Sequence, residues 1–315
     1  MQTSNTTEVR TFRKLELKKR SAFYKFGNNA LRNPYLLMAP ATIVALCISC
    51  FAIVFCIVLS FYKWDLIADT RTFVGWSNYQ YIFTDPLFLK SLSNTIVYAI
   101  YIVFVGTALK VLLGLFMNKN TAGHNFVQTI MFTPHIIASV AVAIVFRYMM
   151  MPEGGVFNMI LGWFGLPPSG WSLDQKTALI SLVIIALWSG MGYGVLLVIS
   201  GLRAIPDYVY EAAKLDRSSK VNTLFKVSVP LLSPTIFYIL ITTCVGAFTT
   251  YDIVDLMTQG GPNNATSMLT YYIYEQGIRF MHYGRAMAAA VILMIIASSL
   301  TLLSFKVSAK KIHYQ

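Results

Sequence analysis

VYEAAKLDRSSKVNTLFKVSVPLLSP, residues 209–234, breaks up two long apolar runs with charge and proline. Locally it reads as two short helices around a corner. Pro206 and Asp207, just upstream, mark a helix start, because proline tolerates the first turn and an early carboxylate complements the helix dipole. YEAAKL continues as good helix former. Ser218 or Ser219 can cap a second helix, in which Val221, Leu224, Phe225 and Ser228 recur at three-to-four spacing. Pro230 and Pro234 disturb that pattern as the next apolar run begins. Such a projection can receive a push: small Ala212 and Ala213 let another backbone come close, and Glu211 and Asp216 offer charge-assisted contacts. The same residues also allow an amphipathic loop lying on a membrane surface.

The setting is apolar. Of 315 residues, 56% are hydrophobic and 12% charged, whereas soluble domains carry about a quarter charged residues. About 20 apolar residues cross a hydrocarbon core. Six runs are long enough, at about 35–62, 91–116, 126–148, 177–200, 233–256 and 285–307. The expected fold is an all-α integral membrane protein of six transmembrane helices. A basic segment, 1–34, precedes a membrane domain over 35–307, and 308–315 form a tail. The first run is too long for a signal peptide and lacks a small-x-small cleavage site, so it reads as a retained span.

The net charge of +12 is explained by topology. Lys and Arg crowd the N-terminal segment (Arg10 to Arg32), the stretch from Arg203 to Lys226, and the tail (Lys306, Lys310, Lys311). The alternate loops hold only scattered ones, such as Lys63, Lys90 and Lys176. By the positive-inside rule both termini and the quoted stretch are cytoplasmic. Trp64, Trp76, Trp163 and Trp171 then fall in outer loops, where amphipathic rings suit the headgroup level. GGVFNMILGWFG (154–165) reads as a short interfacial helix outside, and the run with Phe23, Tyr24 and Phe26 as one inside.

Three separated motifs carry a resemblance. YEAAKLD followed by FKVSVPLLSP resembles the EAA loop of permease subunits of bacterial ATP-binding-cassette importers, in the binding-protein-dependent carbohydrate branch. FVGWSNYQYIFTDPLFLKSLSNT (73–95) is similar to the family's segment before the second span, and TQGGPNNATSMLTYYIYEQGI (258–278) to its signature before the last. The resemblance implies a multi-pass protein of the bacterial cytoplasmic membrane. It also implies a coupling helix in the loop 201–232, formed by Glu211, Ala212, Ala213, Asp216 and Arg217 and seated in a cleft of a separate ATPase. Two such ATPases, a second homologous permease and an extracytoplasmic solute-binding protein are the implied partners. The cargo is a sugar or oligosaccharide, with a glycerophosphate as the alternative. The family usually has glycine after the aspartate, where this chain has Arg217. If the corner needs a left-handed backbone, a non-glycine residue there costs about 1–2 kcal/mol. Either the corner is less sharp, or Arg217 makes an offsetting contact.

No GxxxxGK[ST] phosphate loop occurs in the sequence, so ATP and magnesium are expected on the partner ATPases, with no cofactor in this chain. Gly190, Gly192 and Gly194, inside the fourth run, read as close helix packing or a kink. Charges in spans mark a solute path, since burial there costs about 2.5–3.5 kcal/mol. Lys110 can snorkel to the inner surface. Asp252 and Asp255, with Trp188, Tyr193, Phe248 and Tyr251, can line a polar and aromatic path for sugars, or the aspartates can be rim residues bonded to the GGP loop. Arg279 and Arg285 suit either an anionic solute or interfacial anchoring.

Cys47 and Cys50 form a CxxC among apolar neighbours and read as small lipid- or core-facing residues. His124, His135, His282 and His313 show no ligand spacing. An ion-driven transporter would favour internal repeats and mid-membrane carboxylates. An intramembrane enzyme would need clustered acid–base groups. Neither pattern is evident.

Overall fold

The computed structural model describes residues 34–65 and 70–308. The expected inner interfacial helix around Phe23–Phe26, the basic segment up to Arg32 and the tail lysines Lys310 and Lys311 lie outside the described residues. Residues up to Cys56 form one unit and Ile57 onward another.

The chain begins with α1, Pro34–Leu59. Its apolar side chains, such as Ile43, Ile48 and Phe51, are more than half exposed, as a lipid-facing span would be. Cys47 and Cys50 are also exposed on it. A hairpin follows, β1 (Tyr62–Asp65) and β2 (Thr70–Phe73), antiparallel with Tyr62 opposite Phe73 and Trp64 opposite Arg71. This corrects the all-α expectation: YKWD and TRTF hold the aromatic and β-branched residues that suit a pleated pair, and Arg71 lies over the Trp64 ring at 4.2 Å.

Next come α2 (Ser77–Thr84) and α3 (Pro86–Met117). Asp85 caps α3 by accepting from the Leu87 N–H at 2.9 Å, and Pro86 sits at its first position, where a missing donor costs nothing. A π-turn over Tyr101–Val105 interrupts α3 without ending it. The third apolar run does not form one straight span. It splits into α4 (Ala122–Ile136) and α5 (Ser139–Met149), bent by 102°. Pro134 removes a donor near the end of α4, and Ile137 and Ala138 both adopt extended ψ values of 136° and 135°. The break follows from that backbone, not from any drop in hydropathy.

Then come α6 (Val156–Trp163), a short helix within the expected 154–165 that buries no residue; α7 (Ala178–Arg203); and the quoted stretch as α8 (Asp207–Leu215) and α9 (Lys220–Leu231). The fifth run is also shorter than expected. α10 (Ser233–Phe248) lies at 63° to α9, stops at Thr249, and is followed by a separate α11 (Asp252–Met257). After α12 (Leu269–Tyr274) and a π-turn over Glu275–Arg279, α13 (Tyr283–Ser308) closes the chain. Four helices are long and apolar enough to cross a membrane, and the bent pairs α4–α5 and α9–α10 bring the number up to six if each is one span.

The bundle around α7 depends on two close approaches. A Cβ on Gly192 would lie 1.9 Å from the Met131 carbonyl oxygen, and one on Gly194 would lie 2.4 Å from the Lys110 stem. Only glycine lets α7 meet α4 and α3 this closely. Gly192 and Gly194 thus show the close packing expected of this glycine run, while Gly190 faces open space.

Two of the motif segments face each other. Ser91, Asn94 and Thr95 share one stripe of α3 and meet the segment after α11. Asn94 Nδ2 donates to the Asn264 and Ser267 carbonyls, both at 2.9 Å, Ser91 and Ser267 hydroxyls bond at 2.8 Å, and the Leu269 N–H donates to Thr95 Oγ1. Tyr272 Oη donates to Asp85 Oδ2 at 2.7 Å; burial, and then this acceptor, push its pKa upward.

Candidate functional site: an exposed elbow and a polar cavity

The elbow is α8, its corner and α9. Pro206, extended at ψ 142°, precedes α8, and Asp207 occupies its first turn. At the other end, the Ser218 N–H donates to the Ala213 carbonyl and the Arg217 N–H to the Lys214 carbonyl, both at 3.0 Å. This is a Schellman closure. Arg217 supplies its left-handed residue, at φ 50°, where glycine is the usual occupant. The corner is therefore as sharp as a glycine corner, which removes the less-sharp alternative. Ser219 then caps α9, accepting from the Asn222 N–H.

Glu211, Ala212, Asp216 and Arg217 are exposed, while Ala213 is buried at 8%. Of the five residues expected to touch a partner, Ala213 thus faces its own chain. Val221 and Phe225, which recur with Leu224 and Ser228 at three-to-four spacing, are 66% and 65% exposed, and Tyr208 and Leu215 reach 69% and 85%. Behind the elbow, Val209 and Tyr210 pack on a core of Val198, Leu202, Ile205, Leu232 and Ile239. The projection is anchored by its rear face and leaves apolar side chains uncovered in front.

The second feature is a cavity of about 460 Å³ bounded by α3, α4, α5, α7 and α10. Its lining is rich in hydroxyls, including Tyr98, Ser139, Ser189, Tyr193, Thr242, Thr243 and Thr250, with His135 and Lys110. His135 stacks on Tyr193 at 4.9 Å. Lys110 does not snorkel. It is 9% exposed, and its Nζ donates to Thr243 Oγ1 at 2.9 Å. The bare edge of Gly194 makes room for its stem, a pairing that sequence spacing does not reveal.

Among the expected path residues, only Tyr193 lines this cavity. Trp188 packs on Phe146 at 5.1 Å, and Phe248 is buried at 3%. Tyr251 packs on Tyr274 and Tyr271. Asp252 and Asp255 sit on α11, not on a fifth span. Asp252 accepts from Ser139 Oγ at 2.9 Å, and Asp255 lies 3.7 Å from Arg279, which also faces Glu275 at 3.6 Å. Neither aspartate shows a bond to the GGP loop among the described residues.

A further cleft, about 570 Å³, lies between the hairpin, α2 and the start of α13. Arg285 covers the Tyr81 ring there at 3.5 Å. Burial, reinforced by the charges of Arg285 and Lys63, lowers the pKa of His282.

The relatives agree with this geometry. Residues 110–314 match the family model described as "Binding-protein-dependent transport system inner membrane component". The probable ABC transporter permease protein YurN of Bacillus subtilis is 32% identical over 87% of this chain and 94% of its own length. The sn-glycerol-3-phosphate transport system permease protein UgpA of Agrobacterium fabrum is 31% identical over 92% and 98%. A chain in the crystal structure of a bacterial alginate ABC transporter, in complex with its alginate pentasaccharide-bound periplasmic protein, shares the fold. Its TM-score is 0.77 at 21% identity, over 90% of this chain and 96% of that one. The chain belongs to the family of binding-protein-dependent transport system inner membrane components.

Proposed function

We propose that the chain is the permease subunit of an ATP-driven importer for a carbohydrate-type solute, a class that includes sugar phosphates. It forms one half of the path, a second homologous permease forms the other, and a solute-binding protein delivers cargo from outside. It crosses the membrane six times, counting each bent pair once, with both termini in the cytoplasm. It carries out no covalent chemistry, and ATP and magnesium are held by two cytoplasmic ATPase subunits.

The observation that carries this reading is the elbow. A helix anchored from behind, closed by a rigid left-handed corner, and bare in front at Tyr208, Glu211, Ala212 and Leu215 is suited to a partner's cleft. Glu211 supplies the charge-assisted contact. When nucleotide draws the ATPases together, the elbow carries their motion into α7 and α10, against which it is packed, and the bundle turns as a rigid body. Family membership and the UgpA and YurN names support the same assignment.

The test is reconstitution. Proteoliposomes with all subunits should take up solute only with ATP and binding protein present, and the chain purified alone should hydrolyse none. Hydrolysis by the isolated chain, or uptake that follows an ion gradient with ATP held constant, overturns the assignment.

A further inference from the structure

We propose that Lys110 makes the cavity between α3, α7 and α10 a site for an anionic group, so that the solute crosses with a phosphate or carboxylate beside this ammonium. The proposal rests on the chain lining an importer's solute path.

Lys110 lies seven residues before the end of α3 at Met117, about 10 Å along the axis. An ammonium at such a depth is costly, at about 2.5–3.5 kcal/mol, and normally finds an opposite charge. Here no carboxylate lines the cavity, and no ion pair to Lys110 forms among the described residues. One of its three donors goes to Thr243 Oγ1, a neutral acceptor. Asp252, which is bonded to a lining residue, is engaged by Ser139 Oγ.

The surroundings hold the charge in place. Gly194 has no Cβ to displace the lysine stem, and His135 and Tyr193 line the same space, whereas the Ser189 and Thr242 hydroxyls donate to carbonyls of their own helices. An oxyanion entering this cavity meets one formal cation, and the carboxylate of Asp252 lies one residue beyond the lining, on Ser139. A neutral sugar would take a hydrogen bond from the ammonium but lacks the opposite charge that makes the contact of an oxyanion stronger.

The assembled transporter in liposomes tests this directly. Its native cysteines are replaced, and one thiol is introduced by Thr242→Cys, at an exposed lining position. Reaction rates with anionic sulfonatoethyl and cationic trimethylammonioethyl methanethiosulfonate are compared, each normalised to a small thiol in solution. The expected result is a preference of about tenfold for the anionic reagent, falling towards one with Lys110→Gln and retained with Lys110→Arg. Millimolar sn-glycerol 3-phosphate should slow N-ethylmaleimide at the same thiol, whereas glycerol should not.

A normalised ratio near one with the native lysine, as a carboxylate from the second permease would produce, overturns the proposal. So does equal protection by glycerol. Should Lys110→Gln fail to assemble, the native ratio and the protection still decide. The labelling needs no turnover, so loss of ATP-driven uptake strikes the importer reading while an absent charge preference strikes only this one.

Discussion

The elbow and the connection between α11 and α12 are two links of the bundle, and they are built in opposite ways. Between α11 and α12 the stretch leading into α12 is interior. Ala265, Thr266, Ser267, Met268 and Leu269 are all at or below 6% exposure, and α3 fastens them with Ser91, Asn94 and Thr95. Between α7 and α10 the elbow is exterior. Within α8 only Ala213 is buried, and its corner is held by its own backbone. The α11–α12 link turns the Thr266 and Ser267 hydroxyls onto its own chain. The elbow leaves Glu211, Asp216 and four large apolar side chains for something else to meet.

Breaking each side should therefore read out differently. Glu211→Ala should reduce ATP-driven uptake by an order of magnitude or more while leaving the thermal unfolding midpoint of the purified chain unmoved. A shifted midpoint with intact uptake would make Glu211 structural. Asn94→Ala should do the reverse. It strands the buried Ser267 carbonyl and the partly buried one of Asn264, at a cost of about 1–3 kcal/mol, so the midpoint should fall by several degrees before transport is touched. Calorimetry in detergent checks this.

Arg217→Gly sharpens the comparison. Removing the Cβ from a residue at φ 50° should stabilise the corner by about 1 kcal/mol, seen as slower hydrogen exchange at the Ser218 amide. If uptake nevertheless falls, Arg217 contacts the ATPase, the remaining account of why it replaces glycine. The smallest effect concerns pH. His282 is held below its usual pKa by burial and by Arg285 and Lys63, so the unfolded chain binds its proton more readily. Stability from this source is complete above the ordinary histidine pKa and is lost as pH falls through the lowered one. His282→Gln should flatten that slope in pH-dependent melting.

The sequence disclosed much of this, and its failures have physical causes. Hydropathy located the four helices that are long and apolar enough to cross a membrane among the described residues, because transfer free energy depends on composition. It could not show the 102° bend between α4 and α5, since Ile137 and Ala138 are as apolar as a straight helix would have them. Pro134 was the available signal. The hairpin was legible in the alternation of YKWD and TRTF but was overshadowed by the adjoining span. Asp252 and Asp255 were placed on a span because nothing in Thr249–Thr250–Tyr251 forbids helix outright. The elbow's helices, caps and proline boundaries were legible because capping is local chemistry. Its exposed apolar face was not, since periodicity shows that Val221 and Phe225 share a stripe without saying which way it points. Lys110 needed the third dimension: its space is made by Gly194, on another helix.

The central claim is that this elbow is gripped from the cytoplasm by a separate motor chain. Cysteine cross-linking from Ala212→Cys in intact membranes tests it most directly. The account predicts an adduct with the nucleotide-hydrolysing subunit whose yield changes with ATP. Labelling of that thiol by an impermeant reagent from outside the cell, or no adduct with any ATPase, would contradict it.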